Sequence, residues 1–144
     1  MLRDGARWTA IGVTAVLLGG CSDVQQDADA EAARVADHVL PAAADEVLTS
    51  SRATTSERRG AVAEAWFSEP DAAVTDSQGA STWVVRSRDG ASLRVDVYRR
   101  VESASFFPPD RGESAWGLAC RTYDVASTVT ATPVDCPAGT PKAP

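Results

Sequence analysis

Few side chains in this chain have types and spacings suited to chemistry. The 144 residues hold three cysteines, Cys21, Cys120 and Cys136, and one histidine, His38. A structural zinc site takes three or four cysteine or histidine ligands in short paired spacings. No two of these four residues lie closer than sixteen positions, so no metal and no cofactor is expected. A strained Gly-x-Ser-x-Gly elbow and a His-Glu-x-x-His helix are both missing from the sequence. His38 follows Asp37 directly, and neighbours on a helix do not share a face, so it reads as a solvent-facing or packed side chain. Glu31, Asp45, Glu46, Glu57 and Glu64 are scattered and read as solvated helix faces. A pair of carboxylates becomes catalytic through its separation in space, which only the fold supplies. The chain has no phosphate-cradling glycine loop and no calcium loop of alternating acids. The sequence therefore gives no reason to expect an enzyme.

Two further groups of residues invite a binding role. Arg86, Arg88, Arg94, Arg99 and Arg100 fall close together, with Asp89 and Asp96 among them. They read as the wet face of an antiparallel sheet, with a basic patch for an acidic partner as the sharper alternative. Trp66, Trp83 and Trp116, with Tyr98, Phe106 and Phe107, read as core packing, the commoner job for aromatics at alternating positions, with the lining of a ligand groove as the alternative. Phe106-Phe107-Pro108-Pro109 reads as a connecting loop, and Phe106 and Phe107 are the candidate contact residues, because an apolar loop between strands makes a contact surface. The net charge of −6 and the lack of a long basic run exclude a nucleic-acid partner as the default reading.

The first twenty residues have a composition of their own. Arg3 and Arg7 precede an apolar run from Ala10 to Leu18, which ends in Gly19-Gly20-Cys21. A basic start, a short apolar stretch and a small-residue cleavage site describe a secretory signal peptide over residues 1–20. The run is shorter than the roughly 20 residues that a spanning helix needs. Leu18-Gly19-Gly20-Cys21 resembles the lipobox of bacterial lipoproteins. That resemblance implies cleavage between Gly20 and Cys21, a diacylglyceryl group on the Cys21 thiol and anchoring to the extracytoplasmic face of the cell membrane. The leader holds Arg3, Arg7 and Asp4, so the remaining 124 residues carry 12 basic and 19 acidic side chains, a net charge of −7. Lys142 is the only lysine and alanine is abundant, a bias similar to that of lipoproteins from GC-rich actinobacteria.

With Cys21 assigned to lipid, two thiols remain. Cys120 and Cys136 lie in consecutive predicted strands, and antiparallel pairing around a turn near Thr128 brings them together. An exported chain meets an oxidising compartment, where such a bridge persists. A Cys120–Cys136 disulfide is expected.

These residues must be positioned by helices placed before strands. Ser22 to Glu31 is polar and acidic and reads, with Cys21, as a tether over 21–31, although Ala28 and Ala30 also suit a helix start. From Ala32, the set Ala32, Val35, Ala36, Val39 and Leu40 repeats at helical spacing, with Ala43, Val47 and Leu48 extending it. Pro41 lacks an amide donor and is expected to kink or break this helix. Ala61–Phe67 fits both periods and is assigned to a strand because strand-like sequence follows. Arg88-Asp89-Gly90 between β-rich runs marks a hairpin. Leu93, Val95 and Val97 then alternate with Arg94, Asp96 and Tyr98, a strand with one wet face. Trp116 to Val125 reads as another strand and Val129 to Cys136 as its return, with Pro133 suited to an edge. The expected fold is α+β: an N-terminal helix packed on a four- to five-stranded antiparallel sheet within a single domain, 32–136, followed by a flexible tail, 137–144. The expected function is that of a small lipid-anchored envelope lipoprotein acting as a non-enzymatic module that binds an envelope protein or a small ligand. An envelope hydrolase with carboxylates assembled only in the fold, or a membrane-displayed inhibitor or regulator, are the alternatives.

Overall fold

A computed structural model describes residues 24–69, 74–76, 79–102 and 114–144. Residues 1–20, read above as a signal peptide, and Cys21, Phe106 and Phe107 lie outside the described residues. The rest forms the expected α+β fold. Helix α1 (Val24–Arg34) runs through a π-helical turn (Val35–Val39) into α2 (Leu40–Ser51), and α3 (Ser56–Phe67) follows. Five strands then form one antiparallel sheet in simple sequence order: β1 (Val74–Asp76), β2 (Gly79–Asp89), β3 (Ser92–Glu102), β4 (Ser114–Asp124) and β5 (Thr130–Pro133). Helices cover one face, and the core of Ala32, Val35, Leu40, Leu48, Phe67, Leu93, Val95, Val97 and Tyr123 lies between the two layers.

Helical structure begins eight residues earlier than the expected domain start. Residues 24–31 are helix rather than tether, because Ala28 is fully buried against the sheet. What makes room is Gly117 on β4: a Cβ there would come within 1.8 Å of the Ala28 carbonyl oxygen. A residue with a side chain at 117 would hold the helix off the sheet.

Pro41 changes the helix without ending it. It occupies the first turn of α2, directly after the π-helical turn. In that wider turn the Leu40 amide donates to the Val35 carbonyl, five residues back. The next bond in the same register would come from residue 41 to Ala36, and proline has no N–H to give. The buried stripe also shifts, with Ala44 rather than Ala43 entering the core beside Leu40 and Leu48.

Ala61–Phe67 is helical, which corrects the strand assignment. The Thr55 hydroxyl accepts from the Arg58 amide at 3.3 Å and caps α3. This starts the element six residues upstream of the ambiguous stretch. The buried residues are Gly60, Ala63 and Phe67, spaced three and four apart. Gly60 lets α3 touch the β2–β3 turn, since a Cβ there would lie 2.0 Å from the Gly90 carbonyl oxygen. The hairpin forms as expected but one residue later: Asp89 pairs with Ser92, and the two-residue loop is Gly90-Ala91 with Gly90 at φ +57°. Pro133 sits on the edge strand β5, opposite Arg121.

Candidate functional site

Cys120 and Cys136 are bonded, with Cα atoms 5.4 Å apart. The bridge lies on the sheet face away from the helices, because Asp96 pairs with Cys120 across β3–β4 and both point outward. It fastens the C-terminal segment across that face. The Val134 amide donates to the Cys120 carbonyl at 3.2 Å. Further along, Arg94 Nη2 donates to the Asp135 carbonyl at 2.8 Å and the Tyr98 hydroxyl to the Pro141 carbonyl at 3.1 Å. Residues 137–144 were expected as a flexible tail, yet part of this segment forms a strap over β4 and β3. The strap and Arg86 together help to bury Asp96 and Tyr98, at 1% and 0% exposure, on a face that none of the described helices covers.

Beneath the strap lies a polar cluster. Arg86 is the extra residue of a bulge between Val85 and Ser87, and the bulge aims it at Asp96. Its Nε meets Asp96 Oδ2 at 2.6 Å, and its Nη2 reaches the Tyr98 hydroxyl at 3.3 Å. The hydrogen bond that Arg86 donates to Asp96 raises the Arg86 pKa, so the guanidinium stays charged. Asp96 Oδ1 and Arg94 Nε are buried and have no hydrogen-bond partner among the described residues.

A second cluster holds the other sheet face to the π-helical turn. Arg121 forms a two-pronged pair with Asp37, Nε to Oδ1 at 2.6 Å and Nη2 to Oδ2 at 2.9 Å. The Arg121 hydrogen bond lowers the Asp37 pKa below its ordinary value of 3.8, with burial opposing. Two residues on, the buried Tyr123 hydroxyl donates to the Ala36 carbonyl at 2.7 Å. Burial raises the Tyr123 pKa, so its proton stays in place.

The arginines expected as one wet face divide between the two faces. Arg86, Arg94 and Arg100 point away from the helices. Arg88 reaches α3, with Nε to Glu64 at 2.6 Å and Nη1 to Glu57 at 3.0 Å. Arg99 is fully buried on the helix side, and its Nη1 donates to the buried Ser81 hydroxyl at 3.1 Å. Strand parity decides this split, and the bulge at Arg86 changes the parity partway along β2.

The aromatic residues divide similarly. Trp83 and Phe67 are buried with ring centroids 6.3 Å apart, and Phe67 also packs on Tyr123 at 5.2 Å. Trp66 packs partly buried against the same core. Trp116 lies half-buried on the outer face opposite Arg100. A cleft of about 300 Å³ opens where α3 ends beside β2, lined by Phe67, Ser68, Glu69, Thr82, Trp83, Val84 and Val85. The Trp83 indole already donates to the Phe67 carbonyl at 3.0 Å, so the polar groups the cleft offers come from residues such as Ser68, Glu69 and Thr82, beside ring and methyl surface.

Chemically, these arrangements hold parts together. Both core tyrosine hydroxyls spend their protons on backbone carbonyls, and the Asp96 and Asp37 carboxylates are each held by an arginine. Among the described residues, no three of His, Cys, Asp and Glu come together in a way that could hold a metal ion. His38 is exposed on the π-helical turn. Sequence reasoning missed Asp37, Tyr123 and the strap. A signal for Tyr123 was present, since a proline within a helical stripe leaves a carbonyl that something must satisfy. Comparison with protein-family models, curated proteins and solved structures gives no match.

Proposed function

We propose that this chain is a small lipid-anchored lipoprotein of the cell envelope that serves as a non-enzymatic binding module. The distribution of the cysteines carries the reading. Cys120 and Cys136 are spent on each other, which leaves Cys21 as the one remaining thiol. Cys21 stands directly after an apolar run and Gly19-Gly20, where lipid attachment requires it. A bridge that ties the C-terminal segment of a small domain to its sheet also suits an oxidising, extracytoplasmic setting. The binding half of the proposal draws on the cleft beside Phe67 and Trp83. Its size is at the lower end of small-ligand sites, and the Ser68, Glu69 and Thr82 side chains beside the Phe67 and Trp83 rings favour a small ligand with both polar and apolar groups.

The test is the mature chain isolated from membranes of a bacterial host. Its N-terminal peptide should begin at Cys21 and carry the mass of a diacylglyceryl group. Cys21→Ser should release the protein into the soluble fraction. An unmodified Cys21, or a Cys21→Ser chain that stays on membranes, would overturn the reading.

A further inference from the structure

We infer that the anchored domain stands on the bilayer by the end of the sheet that carries Arg100 and Trp116, with the Trp116 indole at headgroup level. The inference rests on lipid attachment at Cys21. Only three residue steps separate Cys21 from Val24, the first residue of α1, so the two Cα atoms are at most about 11 Å apart.

The start of α1 is fixed to one end of the sheet. Gln25 Nε2 donates to the Trp116 carbonyl at 3.0 Å, and the Leu118 amide donates to Asp29 Oδ1 at 3.3 Å. Between these two contacts, Ala28 presses on Gly117. By strand register, Trp116 lies beside Arg100, Ala115 beside Val101, Ser114 beside Glu102 and Gly79 beside Val101. These residues form the near end. The Gly90-Ala91 turn lies at the far end of β3, eleven residues or about 35 Å away, beyond reach of the lipid.

Trp116 and Arg100 are cross-strand neighbours on the outer face, two residues along β3 from the Tyr98 hydroxyl's contact with the strap. A half-buried indole with an apolar body and one N–H suits the membrane interface. The Arg100 guanidinium is half exposed and 3.6 Å from Glu102, a loose surface pair that a lipid phosphate can replace. Glu102 and the exposed Asp27 share this end, and the net charge of −7 opposes a broad contact with anionic lipid. Chain length therefore sets the orientation, and the footprint is narrow.

The experiment uses the full mature lipidated protein in phosphatidylcholine vesicles whose acyl chains carry bromine either near the headgroup or near the bilayer centre. Trp66, Trp83 and Trp116 are the tryptophans after the leader. Shallow bromine should quench part of the emission, and Trp116→Phe should remove that quenchable part. Central bromine should quench less. Lipid on Cys21 without shallow quenching, or quenching that persists in Trp116→Phe, overturns the orientation and leaves the anchor standing. A chain without lipid on Cys21 overturns the anchor and the orientation together.

Discussion

The Tyr123 hydroxyl donates to the Ala36 carbonyl at 2.7 Å, and Pro41 is the reason that carbonyl is available. The π-helical turn directs Ala36 toward the amide of residue 41, and proline has none. A fully buried tyrosine from β4 supplies the missing donor, so the helix passes its proline without breaking. Asp37 and Arg121 brace the same turn alongside.

Tyr123→Phe should therefore destabilise the fold by about 1–3 kcal/mol, the cost of an unsatisfied buried carbonyl. Pro41→Ala restores an N–H five residues after Ala36, so Tyr123→Phe should cost less in that background. Denaturant midpoints of the four proteins in the cycle measure the coupling. Equal costs in both backgrounds would refute the role given to Pro41.

Asp37 gives the fold an acid-sensitive component. Its folded pKa is lowered from 3.8, chiefly by the Arg121 hydrogen bond. A depressed carboxyl pKa contributes stability that is present above the unfolded value and lost as pH falls through the folded one. Urea midpoints should therefore drop below about pH 4. Asp37→Asn should be less stable near neutrality and show a flatter acid limb. An unchanged profile would contradict the assignment.

The Cys120–Cys136 bridge closes a loop of sixteen residue steps. In the chain-entropy model it contributes about 3 kcal/mol. Reduction, or Cys136→Ser, should lower the denaturant midpoint and speed amide exchange at Asp96 and Tyr98, which the strap covers. Without reductant, neither Cys120 nor Cys136 of the mature protein should react with an alkylating reagent.

Gly117→Ala should force α1 off β4, because the added Cβ would meet the Ala28 backbone. A cost of about 1–3 kcal/mol is expected. Amide exchange should accelerate in Val24–Arg34 before it does in β2 or β3. Uniform loss of protection across the domain would count against a local contact.

Much of the architecture was legible along the chain. Helical spacing from Ala32 marked the long helix, Asp89-Gly90 marked the hairpin to within one residue, and Pro133 marked an edge strand. The cysteine partners were also readable, although the return strand expected over Val129 to Cys136 ends at Pro133, so Cys136 meets Cys120 from the segment after β5 and not from within a strand. Ala61–Phe67 was not readable, because seven residues fit both periods and the deciding cap at Thr55 lies upstream. The tether over 24–31 was misread because alanine and acidic residues alone do not reveal that a glycine on β4 leaves space for them.

The sequence by itself determined the long N-terminal helix, the strands after residue 80 and their faces up to the bulge, because those follow from periods of 3.6 and two residues, and it determined the bridge through the cysteine count. Tertiary structure alone decided which carbonyl Tyr123 would satisfy, which arginines would turn inward, and that the last residues would strap Asp96 and Tyr98. Each of these joins residues far apart in sequence, from Ala36–Tyr123 to Tyr98–Pro141. Local periodicity says which way a side chain points, but the partner it meets depends on how closely two layers approach.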